Sequence, residues 1–145
     1  MDRRHFIGHS AAAIGLLAGL TGQARAAKLQ KAEILVIGGG YGGATAAKYI
    51  SMWSEGGIRV TLVERNAAFV SCPISNLVLA GEKQLSDITV GYEGLAKYGI
   101  TVVQDEVTAV DADKRVVKLA RGGDLAYDRL VLSPGIDFIH DDLPG

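Results

Sequence analysis

Four short apolar runs set the frame of the chain: Ile34-Leu35-Val36-Ile37, Val60-Thr61-Leu62-Val63, Ile100-Thr101-Val102-Val103 and Leu130-Val131-Leu132. Bounded by glycines and charges, they read as strands of a parallel sheet, the second spanning 59–63 and the last beginning at Arg129. Between the first two, an Ala-rich stretch predicts a helix over about 42–53, with Ala44, Ala46 and Ala47 allowing close packing and Gly56-Gly57 ending it. Residues 66–75 read as a proline-containing loop. Short helices are expected near 76–79, stopped by Gly81, and near 93–98, closed by Gly99. After Asp105 the pattern changes to β-runs at 107–110, 115–119 and 125–127, separated by Asp-Ala-Asp-Lys and Arg-Gly-Gly-Asp turns. These predict antiparallel hairpins inserted before the last parallel strand. The expected class is therefore α/β. No internal repeat, low-complexity segment or coiled-coil pattern is visible.

The junction of the first strand and helix carries the first chemistry. Gly38-Gly39-Gly40-Tyr41-Gly42-Gly43 contains Gly-x-Gly-x-x-Gly at 38, 40 and 43, directly after the strand. In a strand–turn–helix unit the first glycine permits the tight turn, and the second lets a pyrophosphate approach the backbone. The third lets the helix pack closely, while the unpaired N–H groups at the helix start hold phosphate. A structural βα turn would use the same glycines. Glu64 adds context, because it ends the second strand 21 residues beyond Gly43. That is close to the roughly 20-residue spacing expected of an acid that binds an adenosine ribose. Its carboxylate would accept from a 2′-hydroxyl and repel a 2′-phosphate, which points to FAD or NAD over NADP. Arg65 softens that exclusion, and an acid at a strand end can also be a solvated charge.

Residues 1–26 read as an address rather than as part of the fold. Arg3-Arg4 precede Phe6-Ile7, an apolar stretch covers 11–20, and Ala24-Arg25-Ala26 forms an A-x-A-type cleavage site. The stretch is about half of the roughly 20 residues that cross a bilayer, so no stable membrane span is expected. The paired arginines resemble a twin-arginine export signal, with an ordinary Sec signal as the alternative; both imply the periplasm. Without Asp2, Arg3, Arg4 and Arg25 the chain carries 12 basic and 15 acidic residues, a net charge of −3. With no basic run, nucleic acid is not an expected partner. His140 and Cys72 are the only His and Cys left, too few for the usual four-ligand metal shell.

Taken together, the glycine turn, Glu64, the inserted β-runs and Tyr127-Asp128-Arg129-Leu130-Val131-Leu132-Ser133-Pro134-Gly135 resemble the FAD/NAD-linked disulfide reductase superfamily. The last segment is similar to its "YDxLVxAxG" strand, with Ser133-Pro134 where Ala-Thr is common. The loop Ser71-Cys72-Pro73-Ile74-Ser75-Asn76-Leu77-Val78-Leu79-Ala80-Gly81 narrows the resemblance to flavoprotein subunits of flavocytochrome c sulfide dehydrogenases, and Asp87-Ile88 and 91–95 also fit. The resemblance spans about residues 32–145 and implies a Rossmann-like FAD-binding domain with an inserted β-meander, occupying 27–145. It implies FAD contacts from Gly38, Gly39, Gly40, Tyr41, Gly42, Gly43, Glu64, Arg65, Cys72, Asn76, Val107, Ser133, Pro134 and Gly135.

The resemblance further implies that Cys72 binds the flavin 8α-methyl as a thioether. A thiolate is a strong nucleophile near neutral pH, and the oxidised ring's 8α carbon is electrophilic in its quinoid form. Composition alone would make Cys72 a small buried filler. The implied activity passes electrons from sulfide through a redox-active cystine to FAD and on to a c-type cytochrome subunit. Two further cysteines for that cystine are absent from this sequence, as is a Cys-x-x-Cys-His haem site. The expectation is an amino-terminal part of the enzyme with no catalytic residue of its own. An NADH-dependent flavin reductase, a sulfide:quinone oxidoreductase relative and a non-catalytic remnant remain as alternatives.

Overall fold

The structure, a computed structural model, describes residues 31–136. The expected leader at 1–26 and His140 lie outside the described residues. Strand β1 (Ala32–Ile37) leads through the glycine turn into helix α1 (Tyr41–Trp53) and strand β2 (Ile58–Glu64). Strand β3 (Ala68–Val70), a 3-10 turn (Cys72–Ile74), helix α2 (Ser75–Leu79), a 3-10 turn (Leu85–Ile88) and strand β4 (Thr89–Gly91) follow. A 3-10 segment (Glu93–Tyr98) then precedes β5 (Thr101–Gln104), β6 (Val107–Asp111), β7 (Val116–Leu119), β8 (Asp124–Ala126) and β9 (Arg129–Leu132).

Four parallel strands form the main sheet in the order β5-β2-β1-β9, with β1 between β2 and β9. Both faces of β1 and β2 are covered, which is why their sequences are nearly continuous in apolar residues. On one face Val36, Val60 and Leu62 pack with Ala47 of α1 and Ile100. On the other, Leu35, Ile37 and Val63 pack with Val117 of β7. The antiparallel meander β6-β7-β8 supplies that second layer, as its turn-separated β-runs predicted. Burying each such side chain contributes roughly 1.5–3 kcal/mol.

Helix α1 presents Gly43, Ala47 and Ser51 to the interior, a stripe at i, i+4 spacing. Of the three alanines expected to pack, Ala47 alone is fully buried. The polar Ser51 is buried because its hydroxyl donates to the Tyr98 carbonyl, fastening the segment before β5 to the helix. That segment is 3-10 rather than the expected helix, and it closes on Gly99 in the left-handed conformation at φ +72°.

Residues 66–75 are not the plain loop the sequence suggested. Ala68–Val70 pairs antiparallel with Thr89–Gly91, Phe69 opposite Val90. Ser71 N–H extends the ribbon to the Ile88 carbonyl at 2.9 Å, and Ile88 is buried. Two three-residue strands some 20 residues apart carry almost no local pattern, so their pairing is a tertiary outcome. At the opposite end of the sheet, Asp128 receives a 2.7 Å hydrogen bond from Glu33 N–H, while its own N–H donates to the Glu33 carbonyl at 2.8 Å. Among the described residues no helix is long and apolar enough to cross a membrane.

Candidate functional site

The carboxyl ends of β1, β2, β5 and β9 open into a cleft of about 600 Å3. In open parallel sheets, ligands bind outside the strand carboxyl ends, where successive crossovers change direction. Here that reversal falls between β1 and β9. Helix α1 starts at the same place, with Gly40 as its extended N-cap, so its first N–H groups lack intrahelical partners and face that end.

The five glycines of the turn divide by what a side chain would strike. Gly38 has φ +95°, and a Cβ there would stand 2.0 Å from the Ser133 carbonyl oxygen. A Cβ on Gly43 would stand 1.8 Å from the Gly38 oxygen, so this glycine seats the helix on the turn itself. At Gly42 a Cβ would stand 2.8 Å from Ser133 Oγ. At Gly39 it would enter the Tyr92 ring, 2.6 Å from Cε1. Gly40 differs, because the one heavy atom near its Cβ position is Phe69 Cε2, at 3.7 Å. Gly38 and Gly43 are thus blocked by backbone, Gly39 by a packed ring and Gly42 by a serine hydroxyl that can rotate away, whereas Gly40 borders the cleft.

Glu64 stands at the end of β2 and closes the turn. Its Oε2 accepts from Gly39 N–H at 2.7 Å, and its Oε1 accepts from Asn66 N–H and Nδ2 at 2.8 and 2.9 Å. Asp105, at 4% exposure, follows β5 on the next strand over. Burial pushes its carboxyl up, but hydrogen bonds from the Glu106 and Arg121 N–H groups and the Arg121 guanidinium together hold it below the ordinary value. The Asp105 N–H donates to the Glu64 carbonyl at 3.1 Å, so the two acids are coupled through the backbone.

The structure gathers most of the residues that the sequence singled out. Gly38, Gly40, Tyr41, Glu64, Arg65, Val107, Ser133, Pro134 and Gly135 all line the cleft. Gly39, Gly42 and Gly43 form the turn behind it. Cys72 and Asn76 are not among the lining residues. Cys72 is exposed in its 3-10 turn, not the buried filler that composition suggested, and Asn76 lies in α2. The loop is nevertheless held toward the cleft, since the Tyr41 and Ser71 hydroxyls hydrogen-bond at 2.5 Å.

Phe69, Tyr92 and Asp105 are among the cleft residues that the sequence does not single out. Phe69 was hidden in the supposed loop, and its ring meets Tyr41 edge-on at 4.8 Å. Tyr92 follows β4, and burial together with the Glu64 charge pushes its hydroxyl pKa up to about 12. Asp105 marks the point where the parallel pattern gives way to hairpins, which was the available signal. Among the described residues no group of three His, Cys, Asp or Glu side chains could hold a metal ion.

A glycine turn under a helix start, an acid ending the second strand and a meander before the last parallel strand define a Rossmann-like domain of the FAD-binding type. The sequence matches the pyridine nucleotide-disulphide oxidoreductase family over residues 32–145, and the chain belongs to that family. It is 30% identical to mitochondrial sulfide:quinone oxidoreductase of Mus musculus over 113 residues, 78% of this chain and 25% of that protein. A shorter match, 53% identical over 46 residues, is to the flavoprotein chain of sulfide dehydrogenase [flavocytochrome c] from Chlorobaculum thiosulfatiphilum; it covers 32% of this chain and 94% of that sequence. The solved sulfide:quinone oxidoreductase of Aquifex aeolicus superposes with a TM-score of 0.67 at 27% identity, over 75% of this chain and 25% of that one. The chain thus spans about a quarter of the length of the two sulfide:quinone oxidoreductases.

Proposed function

We propose that this chain is the FAD-binding portion of an exported flavoprotein oxidoreductase that passes electrons from sulfide through FAD to a c-type cytochrome. The observation that carries dinucleotide binding is the contrast among the glycines: Gly40 borders the cleft at the helix start with only the Phe69 ring edge near its Cβ position, whereas Gly38 and Gly43 are blocked by backbone and Gly39 by the Tyr92 ring. Phosphate oxygens can meet backbone N–H groups there without displacing a side chain. Glu64 stands where an adenosine ribose would offer its hydroxyls. Sulfide as the electron donor is supported by the likeness to sulfide dehydrogenase and sulfide:quinone oxidoreductase sequences. The cytochrome as acceptor rests on the 53% identical segment and on the Cys72 loop. The twin-arginine pattern at the start of the chain supports the periplasm as its destination.

Cys72 supplies the covalent part of this reading. Its thiol is exposed, and the Tyr41–Ser71 hydrogen bond ties the preceding residue to the first residue of α1. The test is to express the chain with FAD, precipitate it in acid and record the flavin spectrum of the washed pellet. A bound yellow chromophore that disappears in Cys72→Ser supports the thioether. Flavin that binds the wild type but washes out favours a sulfide:quinone oxidoreductase-like enzyme, the reading that the longer match to the mouse protein supports. A chain that takes up no FAD overturns both.

A further inference from the structure

Tyr92 has a place in the cleft that neither the glycine motif nor Glu64 accounts for. Its ring is fixed from behind: it packs on the cluster around Val36 and Leu62, and it fills the space in front of Gly39 so closely that a Cβ there would stand 2.7 Å from its hydroxyl oxygen. The same main-chain unit sends its N–H to Glu64 Oε2. The phenol and the carboxylate are therefore neighbours across one peptide, on the wall of one cleft. Yet they do different chemistry. Glu64 is an acceptor already engaged by three N–H groups, and no described residue makes a hydrogen bond to the Tyr92 hydroxyl. A half-buried phenol ordinarily finds a partner for its O–H. This one is held in place by packing, has no protein partner for its O–H, is open to the cleft at its oxygen, and stays protonated far above neutral pH.

Resting on the dinucleotide reading above, we propose that Tyr92 is a ligand-binding residue that donates its phenolic hydrogen to a ribose hydroxyl oxygen of the adenosine half. Glu64 accepts from that ribose while Tyr92 donates to it, so the pair reads a hydroxyl both as donor and as acceptor. A ribose lacking its hydroxyls would leave both protein groups without a ligand partner, a larger penalty than the loss of either bond alone.

The test compares Tyr92→Phe with wild type in the full chain, using ADP and 2′,3′-dideoxy-ADP as probes in calorimetric titrations. The ring, and with it the packing on Gly39, is kept. The expected result is a roughly tenfold weaker Kd for ADP, the scale of one net hydrogen bond. The Kd for dideoxy-ADP and the melting temperature of the free chain should not change. Equal loss for both nucleotides, no loss for ADP, or a lower melting temperature overturns the assignment. If the wild type binds neither ADP nor FAD, the dinucleotide reading itself falls, which is a distinguishable result.

Discussion

Gly39 N–H and Glu64 Oε2, 25 residues apart in sequence, lie 2.7 Å apart and lock the glycine turn to the end of β2. The carboxylate is thus part of the fold before it is part of any ligand site. Replacing Glu64 with Gln keeps the shape but turns one oxygen into an N–H donor. With the amide oxygen toward Asn66, the new NH2 opposes Gly39 N–H. The expected cost is about 1–3 kcal/mol, the range for a buried polar group left unsatisfied, read in urea unfolding. ADP should also bind more weakly, and its advantage over adenosine 2′,5′-bisphosphate should narrow, because the charge that repels a 2′-phosphate has gone.

The glycines of the turn give a contrast between folding and binding. Gly40→Ala introduces a methyl that meets only the Phe69 ring edge, at an ordinary contact of 3.7 Å, on an extended backbone of φ −69° and ψ −168°. Stability should change by no more than about 1 kcal/mol, since Ala is the poorer N-cap but tolerates that conformation and lowers the entropy of the unfolded chain. FAD or ADP binding should fall by an order of magnitude or more. Gly43→Ala would press a methyl to 1.8 Å from the Gly38 carbonyl oxygen and should cost about 3 kcal/mol or more. Parallel melting curves and nucleotide titrations of the two variants separate the effects.

Asp105 predicts an acid-dependent term in stability. Its folded-state pKa lies below the ordinary value of 3.8. The unfolded chain therefore binds more protons around and just below that value, so stability rises with pH across that window. The contribution is present above about pH 4 and is lost as pH falls through the folded-state value. Asp111, lowered by the Lys114 N–H and ammonium, acts in the same direction. Asp105→Asn should flatten the pH dependence of the unfolding midpoint between pH 5 and 3 relative to wild type. Identical slopes would show that Asp105 contributes nothing to it.

Asp128→Ala should loosen β9 from β1. It removes the acceptor for Glu33 N–H but leaves the Asp128 N–H bond to the Glu33 carbonyl intact. A loss of about 1 kcal/mol is expected. It should appear in hydrogen exchange as faster exchange at Glu33, with the amides of β2 little affected.

How much of this was legible in the sequence follows the range of the interactions. Strands β1, β2, β5 and β9 announced themselves because β1 and β2 are buried on both faces and their neighbours carry the same apolar runs. The meander showed through its turns. Helix α1 was placed within a residue, but its buried face was misread, because Ser51 owes its burial to a carbonyl 47 residues away. The β3–β4 ribbon was invisible for the same reason. In the site, Gly38, Gly40, Gly43 and Glu64 carry a spacing that can be read directly. Tyr92 does not, since what matters is its approach to Gly39 across 53 residues of chain. The resemblance names Gly39 as an FAD contact, but nothing in the spacing shows that the Tyr92 ring fills the place of a side chain there.

The position of β1 has one more consequence, for the order of assembly. It comes first among the described strands yet sits inside the sheet, pairing with β2 through Ala32↔Ile58 and with β9 through Ile34↔Arg129. The first partner leaves the ribosome soon after β1, and the second only after some 65 further residues. During that interval the far edge of β1 is an unpaired row of N–H and C=O groups flanked by apolar side chains, the kind of edge that recruits foreign strands. Gly38 has no carbonyl of Ser133 to rest against until β9 and the residue after it arrive, so the glycine turn takes this support from the last of the described strands to be made.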